Sequence, residues 1–415
     1  MSIYSSFYSA LSGLNANGNA MSVIGNNLAN LNTIGYKGSS ATFQDLFSSA
    51  MGGSAVQGNG NPNQIGMGTA LGGISQNFAS GSTQSTGNVT DMAIQGNGFF
   101  ALQTQAGTRA YSRAGNFTLD VNSNLVNPTG FNVLGWSRAG APPRVDTSVT
   151  PGPINLSAYQ TIAATPTQNF SFTANLDPGA ALGATFNSNV QIYDSLGNSH
   201  SLQITYTKAA AANSWDLSAS VAGASSVSNA GLLTPWAGTL TFASNGSLAS
   251  STLVGMDVAW PPASGVAAQT LTYNPANMTQ SANGFQTSAS TQDGMGAGTL
   301  DGLTVSQKGE LVGHFTNGQN IPVAQVALAM FTNVNGLQKA GNNSWTESLA
   351  SGAANISAAN QGGRGYIQGN SLELSNVDTA TELTQMIVSQ QGYQANSRVI
   401  TTSNTLLQEV LNLVR

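Results

Sequence analysis

At 415 residues and with 40% apolar side chains, the chain is longer than one typical domain and can bury several cores. Lys, Arg, Asp and Glu make up only 7% of it, and a net charge of −5 gives no electrostatic basis for holding nucleic acid or anionic lipid. With no cysteine, disulfides, thiolate metal sites and cysteine catalysis are excluded. No apolar run approaches the roughly 20 residues that cross a bilayer, so membrane insertion is not expected. The first basic residue is Lys37. The basic n-region of a secretory leader is therefore missing, and any export is expected to proceed without a cleaved signal peptide.

The first predicted element is a helix over about Ser2 to Leu31. Phe7, Leu14, Met21 and Leu28 recur at heptad spacing, with Ile24 and Leu31 beside them. Such spacing places them on one stripe that a partner helix can cover. Gly13, Gly18 and Gly25 each cost about 1 kcal/mol relative to Ala. The segment is therefore expected to be disordered in a free chain and helical only when its stripe is buried. Residues 32–73 read as a Gly-rich connector with a short apolar cluster, Phe43, Leu46 and Phe47. Strand signals begin at 74. Phe99 to Leu102 follow the turn Gly96-Asn97-Gly98, and Phe117 to Leu119 and Leu125-Val126 flank a polar hairpin turn.

Pro142, Pro143, Pro151 and Pro153 mark a boundary. Beyond them, Val190 and Ile192 alternate against Leu202, Ile204 and Tyr206 across Asp194 to Asn198. Leu240 and Phe242 face Leu248 across an Asn245-Gly246 turn. Trp215, Trp236 and Trp260 provide core or interface area. The earlier style of strand then returns around Leu303 to Phe315 and Val323 to Phe331. After a Gly-rich stretch around Gly362, the last helix opens at Asp378 or Thr379, either an N-cap, with Glu382 in capping-box position. Its register runs Met386, Tyr393, Ile400, Leu407 and Val414, flanked by Leu383 and Leu411. Gly392 is expected to loosen it locally.

These elements predict a mainly β protein with long terminal α-helices, nested along the chain. Residues 1–31 and 375–415 form a coiled-coil-like helical domain. Residues 32–73 and 351–374 are Gly-rich connectors. Residues 74–145 and 285–350 form an inner β domain, and 146–284 an inserted outer one, each sandwich- or barrel-like. Enzyme chemistry lacks its parts. The two histidines, His200 and His314, sit in strand-like stretches. No nucleophile elbow, phosphate loop or zinc-protease motif occurs. Asp120, Asn122 and Asn124 start like a calcium loop, but Leu125 and Phe131 stand where that loop needs Gly and Glu, so a turn is expected. No cofactor or metal is predicted.

Two motifs carry a resemblance. Asn26, Asn27, Leu28, Ala29, Asn30, Leu31, Asn32, Thr33, Ile34, Gly35, Tyr36 and Lys37 resemble the N-terminal motif of bacterial flagellar rod and hook proteins. Ser375, Asn376, Val377 and Asp378, followed by Met386-Ile387 and Tyr393 to Ser397, resemble the C-terminal one. Ala93 to Phe100 and Ser112 to Phe117 are similar to the family's shared β region, and the large insertion, with Tyr193 to Asn198 at a turn, points to the hook members. The resemblance implies a structural, non-enzymatic subunit that polymerises with itself into a curved, flexible hollow tube passing torque from motor and rod to filament. It implies terminal helices lining the tube, an extracellular place at the hook and basal body, and export through the flagellar type III apparatus. Implied partners are the distal rod, the hook cap and the hook–filament junction proteins. The two Gly-rich stretches are expected to absorb bending. A distal rod protein is the nearest alternative. Another class is a secreted β-rich adhesin or carbohydrate-binding protein using its tryptophans.

Overall fold

The structure, a computed structural model, describes residues 3–46, 48–50, 64–139 and 144–413. Phe47, Pro142, Pro143 and Val414 lie outside them. The chain is mainly β, with one long helix at each end: α1 (Ile3–Ala29) and α2 (Thr379–Leu413). It divides into two compact units. The first holds residues 1–157, 303–313 and 321–415, and the second holds 158–302 and 314–320.

In the first unit α1 and α2 run antiparallel. Asn27 of α1 meets Glu382 at the start of α2, and Gly13 meets Asn396 further along it. The buried stripe of α1 is Ala10, Gly13, Ala16, Ala20, Ile24 and Asn27, mostly small residues. The predicted apolar register is displaced to the flank: Phe7, Leu14, Met21 and Leu28 are only half-buried, as is Leu31 in the turn after the helix. On α2, Met386, Ile400 and Leu407 are half-buried, and Leu383, Tyr393 and Leu411 are exposed. Small side chains win the contact because they let two backbones approach closely, and close packing multiplies dispersion contacts.

The approach is reciprocal. A Cβ added at Gly13 would lie 2.6 Å from the Asn396 amide, and one added at Gly392 would lie 3.0 Å from that of Asn17. Gly392 does not break α2, which is continuous through it. It makes room for Asn17 instead.

The stretch 32–73 contains a ribbon in which Ser39–Asp45 pairs antiparallel with Thr69–Gln76, packed against α1. The stretch 351–374 is not a loose connector. Asn355–Ala358 pairs with Asn320–Met330, Tyr366–Gly369 with Met92–Gln95, and Ser371–Glu373 with Thr83–Ser85. Gly365 and Gly369 there serve close packing: an added Cβ would lie 2.1 Å from the Gln95 carbonyl oxygen at Gly365 and 3.0 Å from Val305 Cβ at Gly369. The aromatic core of this unit gathers Phe99, Tyr111, Phe331 and Trp345, with the Phe99 and Trp345 ring centres 5.6 Å apart.

The second unit is a sandwich. One sheet orders strands Thr185–Tyr193, Ser199–Lys208, Ser214–Val221, Ala237–Phe242 and Leu248–Ser251. The other centres on Asn169–Leu176, which pairs parallel with Gln269–Asn274 and Met278–Gln280 and antiparallel with Gln286–Gln292. Val190 faces Leu202 and Phe242 faces Leu248 across their turns, as the alternation predicts. Trp215, Trp236 and Trp260 are all buried in or against the shared core. Buried indoles cannot stack on sugars, which removes the feature behind the adhesin alternative.

Two substitutions separate propensity from packing on α1. Gly18 has nothing within 4 Å of an added Cβ, so Gly18→Ala should stabilise the helix by up to about 1 kcal/mol. Gly13→Val should instead destabilise by roughly 1–3 kcal/mol, through overpacking against Asn396. Denaturant unfolding and amide exchange in α1 check both. Equal effects of the two changes would contradict the close helix contact.

Candidate assembly site

The motif residues gather where α1 ends and α2 begins. Past α1 the chain turns through Asn30–Lys37. The Asn30 amide reaches back to the Asn26 carbonyl (2.9 Å), and the Thr33 hydroxyl donates to Asn30 Oδ1 (3.1 Å). Gly35 sits at φ 67°, and an added Cβ would lie 2.6 Å from the Ala114 nitrogen. Only glycine fits that left-handed, crowded position. Its amide donates to the Glu373 carbonyl at 2.7 Å. Asn343 Nδ2 holds the neighbouring Ile34 carbonyl at 2.7 Å.

Asn27, buried, ties three segments. Its amide donates to the Ser39 carbonyl (2.7 Å) and Glu382 Oε1 (2.9 Å), and its oxygen accepts from the Ser39 amide (2.9 Å). The Tyr36 hydroxyl donates to Asn26 Oδ1 at 2.8 Å. Burial, with Glu382 next in effect, raises its pKa above the ordinary tyrosine value. Asn376 mirrors Asn27. Its oxygen accepts from the Gly38 amide (2.9 Å), and its nitrogen donates to the Asn77 (2.7 Å) and Ala79 (3.0 Å) carbonyls. The Val377 side chain packs on Gly38, and Ser375 Oγ accepts from the Val377 amide at 3.4 Å. Asp378 caps α2, accepting from the Thr381 amide at 2.7 Å. Glu382 turns to Asn27 instead of closing a capping box. Leu28, Ala29 and Asn32 take part in none of these hydrogen bonds; Asn32 lines an open cavity of about 610 Å³ that seven asparagines help to wall.

Beneath this junction lies a buried charge cluster. Glu373 accepts from Lys37 Nζ at 2.7 Å and from Arg113 at 3.2 Å, and all three side chains are almost wholly buried. Lys37 also donates to the Ala79 carbonyl (2.7 Å), and Arg113 to the Gly96 carbonyl (2.7 Å). The Gly81 amide adds a further donor to Glu373 at 2.9 Å. Burial pushes the Lys37 ammonium and the Arg113 guanidinium below their ordinary values, and Glu373 between them works against that. The motif brings Lys37 into view from sequence. Arg113 falls in the Ser112 to Phe117 stretch of the resemblance, whereas Glu373, at the end of the short strand Ser371–Glu373, carries no sequence signal beyond being a charge in a chain poor in charge.

A helical hairpin built from the two chain ends, clasped onto a β unit with a second β unit inserted, is the architecture of an axial flagellar subunit. The chain belongs to the flagellar hook protein family. It is 35% identical to the flagellar hook protein FlgE of Salmonella typhimurium, over 98% of this chain and 100% of that one. It is 33% identical to that of Treponema pallidum, over 99% of each. Family models match at residues 7–37 (flagella basal body rod protein) and 93–174 (flagellar hook protein FlgE/F/G D1 domain). They match again at 155–295 (flagellar basal body protein FlaE D2 domain) and 368–413 (flagellar basal body rod FlgEFG protein C-terminal). The fold is also that of Helicobacter pylori flagellar hook protein FlgE2, with TM-score 0.53 at 14% identity, covering 69% of this chain and 99% of that one.

Glu373→Gln should cost roughly 3–5 kcal/mol, because two buried cations lose their only anion; denaturant titration of the full chain measures it. A cost below about 1 kcal/mol would show that the cluster is not a clasp. Hydrogen bonding from the Thr381 amide holds Asp378 below the ordinary carboxylate value. Its contribution is therefore present above pH about 4 and is lost as pH falls through the folded value. Amide exchange at the first turn of α2 should accelerate on that descent in the native chain. In Asp378→Asn it should not change with pH beyond the intrinsic exchange rate.

Proposed function

We propose that the chain is the structural subunit of the flagellar hook, polymerising with itself into the curved, flexible tube that carries torque from the rod to the filament. The observation that carries this reading is the apolar surface of α2. Leu383, Ile387, Val388, Val399, Leu406, Val410 and Leu411 are all exposed, up to 69% at Leu411, although α1 covers another face. At about 1.5 Å per residue α2 spans roughly 52 Å. Exposed apolar side chains spread along and around a helix of that length belong against other helices, here those of neighbouring copies. Half-buried Phe7, Leu14, Met21 and Leu28 on α1, and Met386, Ile400 and Leu407 on α2, are completed by the same neighbours.

A subunit whose contacts are head-to-tail and do not close generates a helical tube. A surface of amides and hydroxyls suits that crowding, since like charges would repel at each contact. In this reading the subunit leaves the cell through the flagellar export apparatus without a cleaved leader. It then joins the distal rod below, the hook cap during growth and the junction proteins above. Among the described residues no helix is long and apolar enough to cross a membrane.

The test replaces residues exposed in the single chain. Leu406→Asp with Leu411→Asp should change the stability of the free chain by no more than about 0.5 kcal/mol, the usual surface effect. Polymerisation should be abolished, because each copy would bury uncompensated carboxylates. Electron microscopy and sedimentation read the polymer, and denaturant unfolding reads the fold. Normal tubes from this variant would refute the role given to α2.

A further inference from the structure

The second unit carries an apolar projection at one end of its sandwich and, at the other, an open groove of small side chains bordered by Lys208 and Asn213. The projection is the loop between strands Ser226–Asn229 and Ala237–Phe242. Leu233 there is fully exposed and Leu232 largely so. The loop is held firmly. The Asn229 amide donates to the Thr234 carbonyl (3.0 Å), and its side-chain nitrogen to Thr234 Oγ1 (3.1 Å). Gly231, at φ 73°, donates to Asp257 Oδ2 at 2.8 Å. Two leucines are thus presented on a preorganised frame, which lowers the ordering cost of docking.

The groove, about 340 Å³, is lined by Leu182, Lys208 and Ala209 to Ala212 at the turn between Ser199–Lys208 and Ser214–Val221. Register fixes the polarity. Ser214 pairs with Thr241, and Ser218 with Ala237. The groove therefore lies beyond the Ser214 end of its strand and the projection beyond the other. An eight-residue strand separates them, roughly 26 Å. The charges also match: Lys208, its ammonium 4.8 Å from the Trp215 ring, borders the groove, and Asp257 stands at the base of the projection.

We propose that Leu232 and Leu233 of one copy seat in the alanine groove of the next, with Asp257 facing Lys208. The occupant is a second copy of this chain, and the proposal rests on the reading that copies polymerise. Because donor and acceptor surfaces differ and lie at opposite ends, the contact is heterologous and leaves one free surface of each kind, so these units stack without closing. A groove floored by alanines holds a leucine without locking it, so the stack can slide as the tube bends.

The chain has no cysteine, which makes crosslinking specific. Tubes grown from full-length chain carrying both Leu233→Cys and Ala211→Cys should yield a ladder of covalent multimers on oxidation. Neither single variant should crosslink alone, and an equal mixture of the two should stop at dimers. Tubes without a ladder, or Leu233→Cys crosslinking to itself, would overturn the contact and leave the hook reading intact. Failure of the unaltered chain to polymerise would overturn both. If the cysteine pair blocks growth, Leu233→Asp and Ala211→Lys decide. Each alone should shorten tubes and the pair should restore their length; no restoration overturns the proposal.

Discussion

Glu373 is the residue on which the rest of the first unit depends. Its two carboxylate oxygens receive Lys37 from just beyond α1, Arg113 from the β core and the Gly81 amide, and its own carbonyl receives Gly35. A buried carboxylate is costly in isolation, and so are two buried cations. Together, with the Ala79, Ile94 and Gly96 carbonyls taking further donors while Arg113 Nε stays buried without a partner, they are tolerated only in one geometry. That geometry sets where α1 leaves the β unit and where α2 begins. The asparagine pair Asn27 and Asn376 repeats the logic with neutral groups, each side chain imitating a strand neighbour for exposed backbone. The junction is therefore specified by polar groups, in a protein that otherwise uses very few charges.

Apolar surface is divided between what one chain uses and what it leaves for others. The helix pair within one chain is closed by alanines, glycines and asparagines. The long aliphatic side chains stay on the flank and outer face. If leucines closed the pair, less apolar surface would remain for neighbours. If small residues lined the outside, copies would have little to hold. The same division recurs in the second unit, where bulky tryptophans fill the core and the leucines of one loop stand in water.

Several elements are legible along the chain because their signals are local. Hairpins declare themselves by alternation and by Asn-Gly or Gly-bearing turns, as with Val190 facing Leu202 and Phe242 facing Leu248. The helices declare themselves by heptad spacing, and the cap by Asp378. Glycine is where local reading misleads, because it serves opposite purposes. In Gly365 and Gly392 it admits a neighbour rather than freeing the backbone, and nothing within ten residues of either distinguishes the two uses. The helix face is misjudged for the same reason. Heptad leucines mark a stripe that wants burial, but they do not say whether a residue of the same chain or of another copy will bury it.

What the sequence determines by itself is periodic or compositional: β body, helical ends, missing catalytic parts, and a pair of terminal motifs that belong to one family. What only the tertiary structure decides is pairing at long range. Lys37 and Glu373 are 336 residues apart, and Arg113 and Glu373 are 260 apart. An ion pair between such positions has no period and no turn to announce it, because its energy depends on burial and geometry that exist only once the strands between them have packed.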